Sequence, residues 1–272
     1  MASSRLANRV AWISGAASGI GAATARLFAG EGARVTIADV NVERDQEVAD
    51  EINSGGSERA LATRCDVSGQ HEVERSIGAT VDLFGGLHIV VNNAAIGQYD
   101  PLHQCSGDEW DAVMAVNVKA AFLSFKSAYP HLRRVDQSYV VNVTSISSFV
   151  AQADTPVYTV SKHALLGLTR TIALDYAADG IRCNCVCPGI TDTPGLRAHL
   201  AQYPDPEKKL AERLRRVPSG KVMLPEQMAR AILYFFCEDS AGITGTSLVV
   251  DGGYTTAAEW DSREWRGEEK GD

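Results

Sequence analysis

Tyr158 and Lys162 stand four residues apart in the run Tyr158-Thr159-Val160-Ser161-Lys162. On a helix that spacing puts both side chains on one face. A phenol titrates near ~10 and is a poor base at neutral pH, but a lysine ammonium beside it favours phenolate and is expected to lower that value. Such a pair can give and take the proton that an alcohol and its ketone exchange. Ser145 follows the apolar run at residues 138–143, where its hydroxyl is placed to hold the reacting oxygen. Alone, the Tyr-x-x-x-Lys spacing also describes an exposed aromatic–lysine pair, so the reading depends on its surroundings.

A second group of residues suits a dinucleotide. Ser14-Gly15-Ala16-Ala17-Ser18-Gly19-Ile20-Gly21 follows an apolar run and opens a helical pattern. Glycines let a backbone approach a pyrophosphate, and a helix N-terminus offers free N–H groups and the positive end of its dipole. The spacing is G-x-x-x-G-x-G, not G-x-G-x-x-G, so an ordinary strand-to-helix turn competes with this reading. Asp39 ends the next apolar run, about 20 residues on, where an acid accepts hydrogen bonds from the adenosine ribose. A carboxylate there repels the extra phosphate of NADP, and the turn carries no Lys or Arg to attract it. NAD is therefore the expected cofactor. Asp39 or Asn41 is alternatively a cap for the following helix. Asp66-Val67 and Asn92-Asn93-Ala94-Ala95 also follow apolar runs and fall on the same rim, each open to an Asx-turn reading.

These groups need a scaffold that gathers strand ends. Apolar runs predict strands over residues 9–14, 33–38, 60–64, 87–91, 138–143, 181–186 and 247–250. Between them, helical periodicity covers 19–31, 42–53, 70–84, 108–132, 158–178 and 225–237. Wholly apolar strands alternating with helices imply an α/β, single-domain, Rossmann-type doubly wound parallel sheet with helices on both faces. Gly180 suits a helix C-terminus and Pro225 a helix start.

With 272 residues and 45% hydrophobic content, the chain can bury a full core. Its formal charge of −8 argues against nucleic-acid partners, which require a basic field. No apolar stretch reaches the roughly 20 residues that cross a bilayer, so no membrane partner is expected. Residues 1–10 lack the apolar core of a secretory signal. The cytoplasm is the expected location, in keeping with six cysteines in apolar contexts. Cys183, Cys185 and Cys187 alternate along one strand; packing against helices is preferred to a thiolate cluster, and no metal is expected.

Taken together, the motifs resemble the classical short-chain dehydrogenase/reductase (SDR) family over about residues 10–253. The Gly15–Gly21 turn, Asn92-Asn93-Ala94, Met114-Ala115-Val116-Asn117-Val118, Ser145, the Tyr158–Lys162 run, Pro188-Gly189 and Val250-Asp251-Gly252-Gly253 carry the likeness. It implies a tetrad of Asn117, Ser145, Tyr158 and Lys162. Tyr158 would be the acid/base, Lys162 would tune it and bind the nicotinamide ribose, Ser145 would hold the substrate oxygen, and Asn117 would anchor a relay water. The resemblance also implies cofactor contacts from Gly15, Ser18, Gly19, Ile20, Gly21, Asp66, Val67, Asn93, Ile190 and Thr193. Two positions depart from the family pattern: Ser14 replaces a threonine, and Ala95 replaces a glycine, which would be strained if φ were positive.

By the same likeness, residues 1–253 form the catalytic domain, 191–221 a lid over the substrate, and helices 108–132 and 158–178 the interface of a homotetramer. Residues 254–272 form an acidic tail with Trp260 and Trp265, read either as anchors on a neighbouring subunit or as a disordered end. The lid gathers Arg197, Lys208, Lys209, Arg213, Arg215, Arg216 and Lys221 against Asp192, Asp205, Glu207 and Glu212. One reading is an anionic substrate held by a lid arginine such as Arg197; the other is a solvated helix laced with pairs such as Glu212–Arg216. Ser147, Phe149, Gln152 and His199 are further pocket candidates. The expected activity is NAD-dependent hydride transfer from a secondary alcohol: a sugar, sugar acid, hydroxysteroid or cyclic diol. The alternatives are an NADH-dependent ketone reductase in biosynthesis and a catalytically idle NAD-binding module; the presence of both Tyr158 and Lys162 disfavours the latter.

Overall fold

A computed structural model describes residues 4–56 and 58–256. Its strands are β1 (Val10–Ser14), β2 (Arg34–Asp39), β3 (Ala60–Arg64), β4 (Ile89–Asn92), β5 (Ser138–Val143), β6 (Ile181–Pro188) and β7 (Ser247–Val250). They form one parallel sheet in the order β3-β2-β1-β4-β5-β6-β7. Ile13 pairs with Ile37 on one side and Val91 on the other, and Val91 pairs with Val141.

Alternate strand residues feed two separate cores, which is why the strands read as unbroken apolar runs. Ala11, Ile13, Val35, Ile37 and Val91 pack toward α1 (Gly19–Gly30), α2 (Val42–Asn53) and α9 (Pro225–Tyr234). Val10, Trp12, Val90 and Val140 pack toward α3 (Gln70–Phe84), α5 (Ala120–Leu132) and α6 (Pro156–Asp175). Cys183, Cys185 and Cys187 lie wholly buried on the α6 side of β6, with Cys185 and Cys187 beside Leu166. Among the described residues, no helix is long and apolar enough to cross a membrane.

From β1 the chain winds outward to β2 and β3, then returns to place β4 on the other side of β1. The carboxyl ends of β1 and β4 therefore diverge around a crevice, the place where open α/β sheets bind ligands.

Two segments differ from the sequence reading. The pattern at 108–132 is not one helix but α4 (Gly107–Met114), a π turn at Ala115–Lys119 and α5. Residues 108–120 hold no proline or glycine to mark the irregular turn, so it leaves little trace in the sequence. It carries Asn117. The lid folds into two short helices, α7 (Pro194–Leu200) and α8 (Pro206–Leu214), each with proline in its first turn. Thr193 caps α7 by accepting from the Leu196 N–H, and Asp205 caps α8 by accepting from Lys208. Trp260 and Trp265 lie outside the described residues.

Candidate active site

A cleft of about 710 Å³ runs along the carboxyl ends of the strands, from the glycine turn to the lid. At its inner end the β1–α1 turn is held by its neighbours. The Ser14 hydroxyl accepts from the Asn93 and Ala94 N–H groups at 3.0 and 3.2 Å, so serine makes the bracing bond expected of it. Asn93 Nδ2 donates back to the carbonyls of Ser14 and Gly15. Gly15 has φ +63°, and a Cβ there would stand 2.7 Å from the Ala94 Cα; a Cβ on Gly21 would run into the Gly15 carbonyl. Only glycine fits either place. The resulting cradle of backbone at a helix N-terminus has the form that receives a pyrophosphate.

Asp39 lines the same cleft. Asn41, not Asp39, caps α2 by accepting from the Arg44 N–H. The Asp39 carboxylate instead accepts from Ala17 in the glycine turn at 3.3 Å and from Asn41 at 3.1 Å. That fixes a carboxylate at the rim of the cradle, where ribose hydroxyls can donate to it.

At the middle of the cleft, β5 delivers Ser145 and the first turns of α6 deliver Tyr158 and Lys162. The Ser145 Oγ accepts from the Ser147 N–H at 3.1 Å, and its hydroxyl lies within reach of the Tyr158 phenol. Lys162 is almost wholly buried; its Nζ donates to the Val143 carbonyl at 3.1 Å and lies 5.4 Å from the centre of the Tyr158 ring. Asn117 is buried beside them. Its Nδ2 donates to the Ile96 carbonyl and the Ser161 hydroxyl, and its Oδ1 accepts from the Ile96 N–H. The side chain thus clamps the loop after β4 to α6.

The electrostatics correct one expectation. Burial pushes the Tyr158 phenol up to about 12, with contact from the Ser145 hydroxyl working the other way. Burial likewise pulls Lys162 down to about 8, with Cys187 opposing. Desolvation disfavours both charged forms, and the lysine ammonium is turned to the Val143 carbonyl.

The structure separates the remaining candidates. Ser18, Gly19, Ile20, Asn93, Ile190, Thr193, Gln152 and His199 line the cleft. Asp66 does not; its carboxylate accepts from the backbone and hydroxyl of Ser68, the Asx-turn alternative. Val67 is buried beside Trp12 and Ala94. Ser147 is fully buried and accepts from Gln152 Nε2 at 2.7 Å, while Phe149 is exposed outside the cleft. Arg197 points away on the exposed face of α7 and forks onto Asp192 at 2.8 and 2.9 Å. Its charge is already matched there. Ala95 has no positive φ, so its departure from glycine carries no strain. Sequence reasoning missed Tyr99, Tyr203 and Tyr254, all on the cleft wall. Of these, Tyr99 had a signal, since it follows the carboxyl end of a strand.

Comparison with known proteins agrees with this geometry. A family model described as enoyl-(acyl carrier protein) reductase matches residues 15–255. The 2-(R)-hydroxypropyl-CoM dehydrogenase of Xanthobacter autotrophicus is 38% identical over 91% of this chain and 99% of its own. The cis-4-hydroxycyclohexanecarboxylate dehydrogenase of Sinomonas cyclohexanicum is 40% identical over 92% of this chain and 97% of its own. The chain belongs to the short-chain dehydrogenase/reductase family. The crystal structure of levodione reductase superposes on this SDR protein with a TM-score of 0.89 at 29% identity, covering 93% of this chain and all of that one. These relatives make the SDR chain an oxidoreductase of alcohols and their carbonyl counterparts, working with a nicotinamide cofactor.

Proposed function

We propose that this SDR protein is an NAD-dependent dehydrogenase that moves a hydride between a secondary alcohol and nicotinamide, with Tyr158 as the acid/base. The observation that carries the reading is one continuous cleft in which the glycine cradle and Asp39 meet Ser145, Tyr158 and Lys162. Asp39 supports NAD over NADP, because its carboxylate is fixed by Ala17 where an added phosphate would be repelled. A bound NAD supplies the hydride acceptor, and its positive ring favours a phenolate nearby. The cradle at Gly15–Gly21 would hold its pyrophosphate, Asp39 its adenosine ribose and Lys162 its second ribose.

The chain's own groups divide the remaining work. Ser145, beside the Tyr158 phenol, turns its hydroxyl to the substrate oxygen and orients it. Tyr158 takes the hydroxyl proton as an alcohol is oxidised, or returns it as a ketone is reduced. Lys162 keeps positive charge near the phenol at neutral pH. Asn117 is a positioning residue that locks α6 to the loop after β4, so that Tyr158 stays registered against the cofactor rim.

The high phenol value lends weight to the reductive alternative, since a protonated tyrosine is ready to protonate a ketone. Exposed Phe122, Val160 and Leu174 on α5 and α6 support a homotetramer built on those helices. Six free cysteines support a reducing compartment, the cytoplasm. The test is NADH fluorescence with purified protein against secondary alcohols, sugar acids, hydroxysteroids and cyclic diols, with NAD and NADP in parallel. Reduction of NAD but not NADP by some members is expected. No reduction of either cofactor, or a preference for NADP, overturns the reading.

A further inference from the structure

The far end of the cleft is built differently from the cofactor end. Its wall is aromatic, with Tyr99 stacked on His199 at 4.0 Å between ring centres and Tyr203 edge-on to His199 at 5.4 Å. Lys209, Arg213 and Arg216 of the lid line the same cleft, with the carboxylates of Glu212 and, from the loop after β5, Asp154. In a chain of net charge −8 this local excess of cations stands out.

The pairing within the lid identifies which cation is available. Arg197 is held by Asp192, and Lys209 reaches Glu212 at 3.9 Å. Arg216 lies over the Tyr254 ring at 5.6 Å. The expected Glu212–Arg216 pair is therefore not the one formed. Arg213 is half-buried in the cleft wall and has no carboxylate partner among the described residues. Its charge is felt by both rings beside it: with burial, it holds His199 below the usual histidine range, and it opposes the rise of Tyr99. The Nδ1 of His199 is buried without a hydrogen-bond partner. A half-desolvated guanidinium without a carboxylate partner is a site that an oxyanion completes, through charge-assisted bonds that are strongest where water is excluded.

We propose that the substrate is an anionic alcohol, a hydroxy acid or hydroxy sulfonate, whose anionic end is held by Arg213 while its carbinol lies at Ser145 and Tyr158. Arg216 and Lys209 add field without being the primary contact. The two ends of the cleft then have opposite charge, Asp39 at the adenosine end and the lid cations at the substrate end. An anionic alcohol is thereby steered to the lid and away from the ribose carboxylate. The inference rests on the alcohol–ketone reading above.

The test uses matched pairs: 4-hydroxycyclohexanecarboxylate and 4-hydroxypentanoate, each against its carboxamide, with 2-hydroxypropane-1-sulfonate to separate sulfonate from carboxylate. The acids, or the sulfonate, should exceed the neutral partners in kcat/KM by about tenfold or more. Arg213→Gln should raise KM for the anions about tenfold with little change in kcat, and move KM for the amides less than twofold. Arg213→Lys should recover part of the loss. Arg197→Gln, on the outer face of α7, should leave every value unchanged. Amides used as well as acids, or equal effects of Arg213→Gln on both, overturn the anion site and leave the dehydrogenase reading intact. If no alcohol is oxidised, quenching of bound NADH fluorescence by cyclohexanecarboxylate, set against cyclohexanecarboxamide, reads the site directly. Anion-selective quenching that Arg213→Gln removes supports it, and its absence ends it.

Discussion

The cofactor rim and the lid border one cleft, yet they treat their polar groups in opposite ways. At the rim nearly every polar atom is bonded to the protein itself: Ser14 to Asn93 and Ala94, Asn93 to the turn carbonyls, Asp39 to Ala17. At the lid, Arg213 and the Nδ1 of His199 are left without such partners. A surface whose polar groups fix one another is preorganised for a ligand of constant shape. A surface that leaves charge unmatched relies on the ligand to supply the counter-charge, and so selects by chemistry. If both proposals hold, the difference teaches where specificity is written: the rim would recognise the dinucleotide by form, the lid its substrate by charge.

The largest effect should come from the residue between the two regions. Tyr158→Phe should lower kcat by about a thousandfold or more while NAD binding, read by fluorescence titration, stays near the parent value. A variant that retains turnover would remove the acid/base from this site. Gly21→Ala should weaken NAD binding by about a hundredfold, because the added methyl meets the Gly15 carbonyl and opens the cradle. Tight binding in that variant would show that the rim yields to its ligand and is not preorganised. Asp39→Ala should reduce the preference for NAD over NADP by about tenfold, measured as the ratio of kcat/KM values. In pH profiles, alcohol oxidation needs Tyr158 to accept a proton. With its phenol pushed up to about 12, the oxidation rate should climb from neutral into alkaline pH, while ketone reduction should not.

The rim was largely legible in the sequence because its chemistry is local. Gly15 and Asp39 sit at strand ends that apolar runs mark, Gly21 opens the next helix, and the wholly apolar runs implied a sheet covered on both faces. Where two readings stood open, only geometry decided: Asn41 took the cap and freed Asp39 for the turn. The π turn at Asn117 stayed hidden because no proline or glycine over residues 108–120 marks a break in the helix. The sign of the Tyr158 shift was also out of reach, since it turns on how far burial outweighs a lysine bonded to Val143. The lid was the least legible. Arg197 and Arg213 are the same residue type on neighbouring short helices; which is matched depends on Asp192 folding back along α7. Tyr99, from a loop distant in sequence, meets His199 only in the folded chain.

Behind the rim lies a buried group that is left unmatched, and it offers the finest test of the contrast. Asp45, in the first turns of α2, is fully buried, and both its carboxyl oxygens lack a hydrogen-bond partner. Burial, with the charge of Asp39 adding to it, raises its pKa to about 8. The unfolded chain loses this proton near ~4, so between the two values the native state binds more protons than the unfolded one. Its contribution to stability is therefore full below about 4 and is lost as pH rises through about 8. Asp45→Asn keeps the shape and removes the titration. It should leave Tm level with the parent near pH ~4 and raise it near pH 8 by up to roughly 10–20 °C, the bound set by about 1.4 kcal/mol for each unit between ~4 and about 8. Equal Tm values for the two proteins at alkaline pH would mean that Asp45 finds a partner in solution.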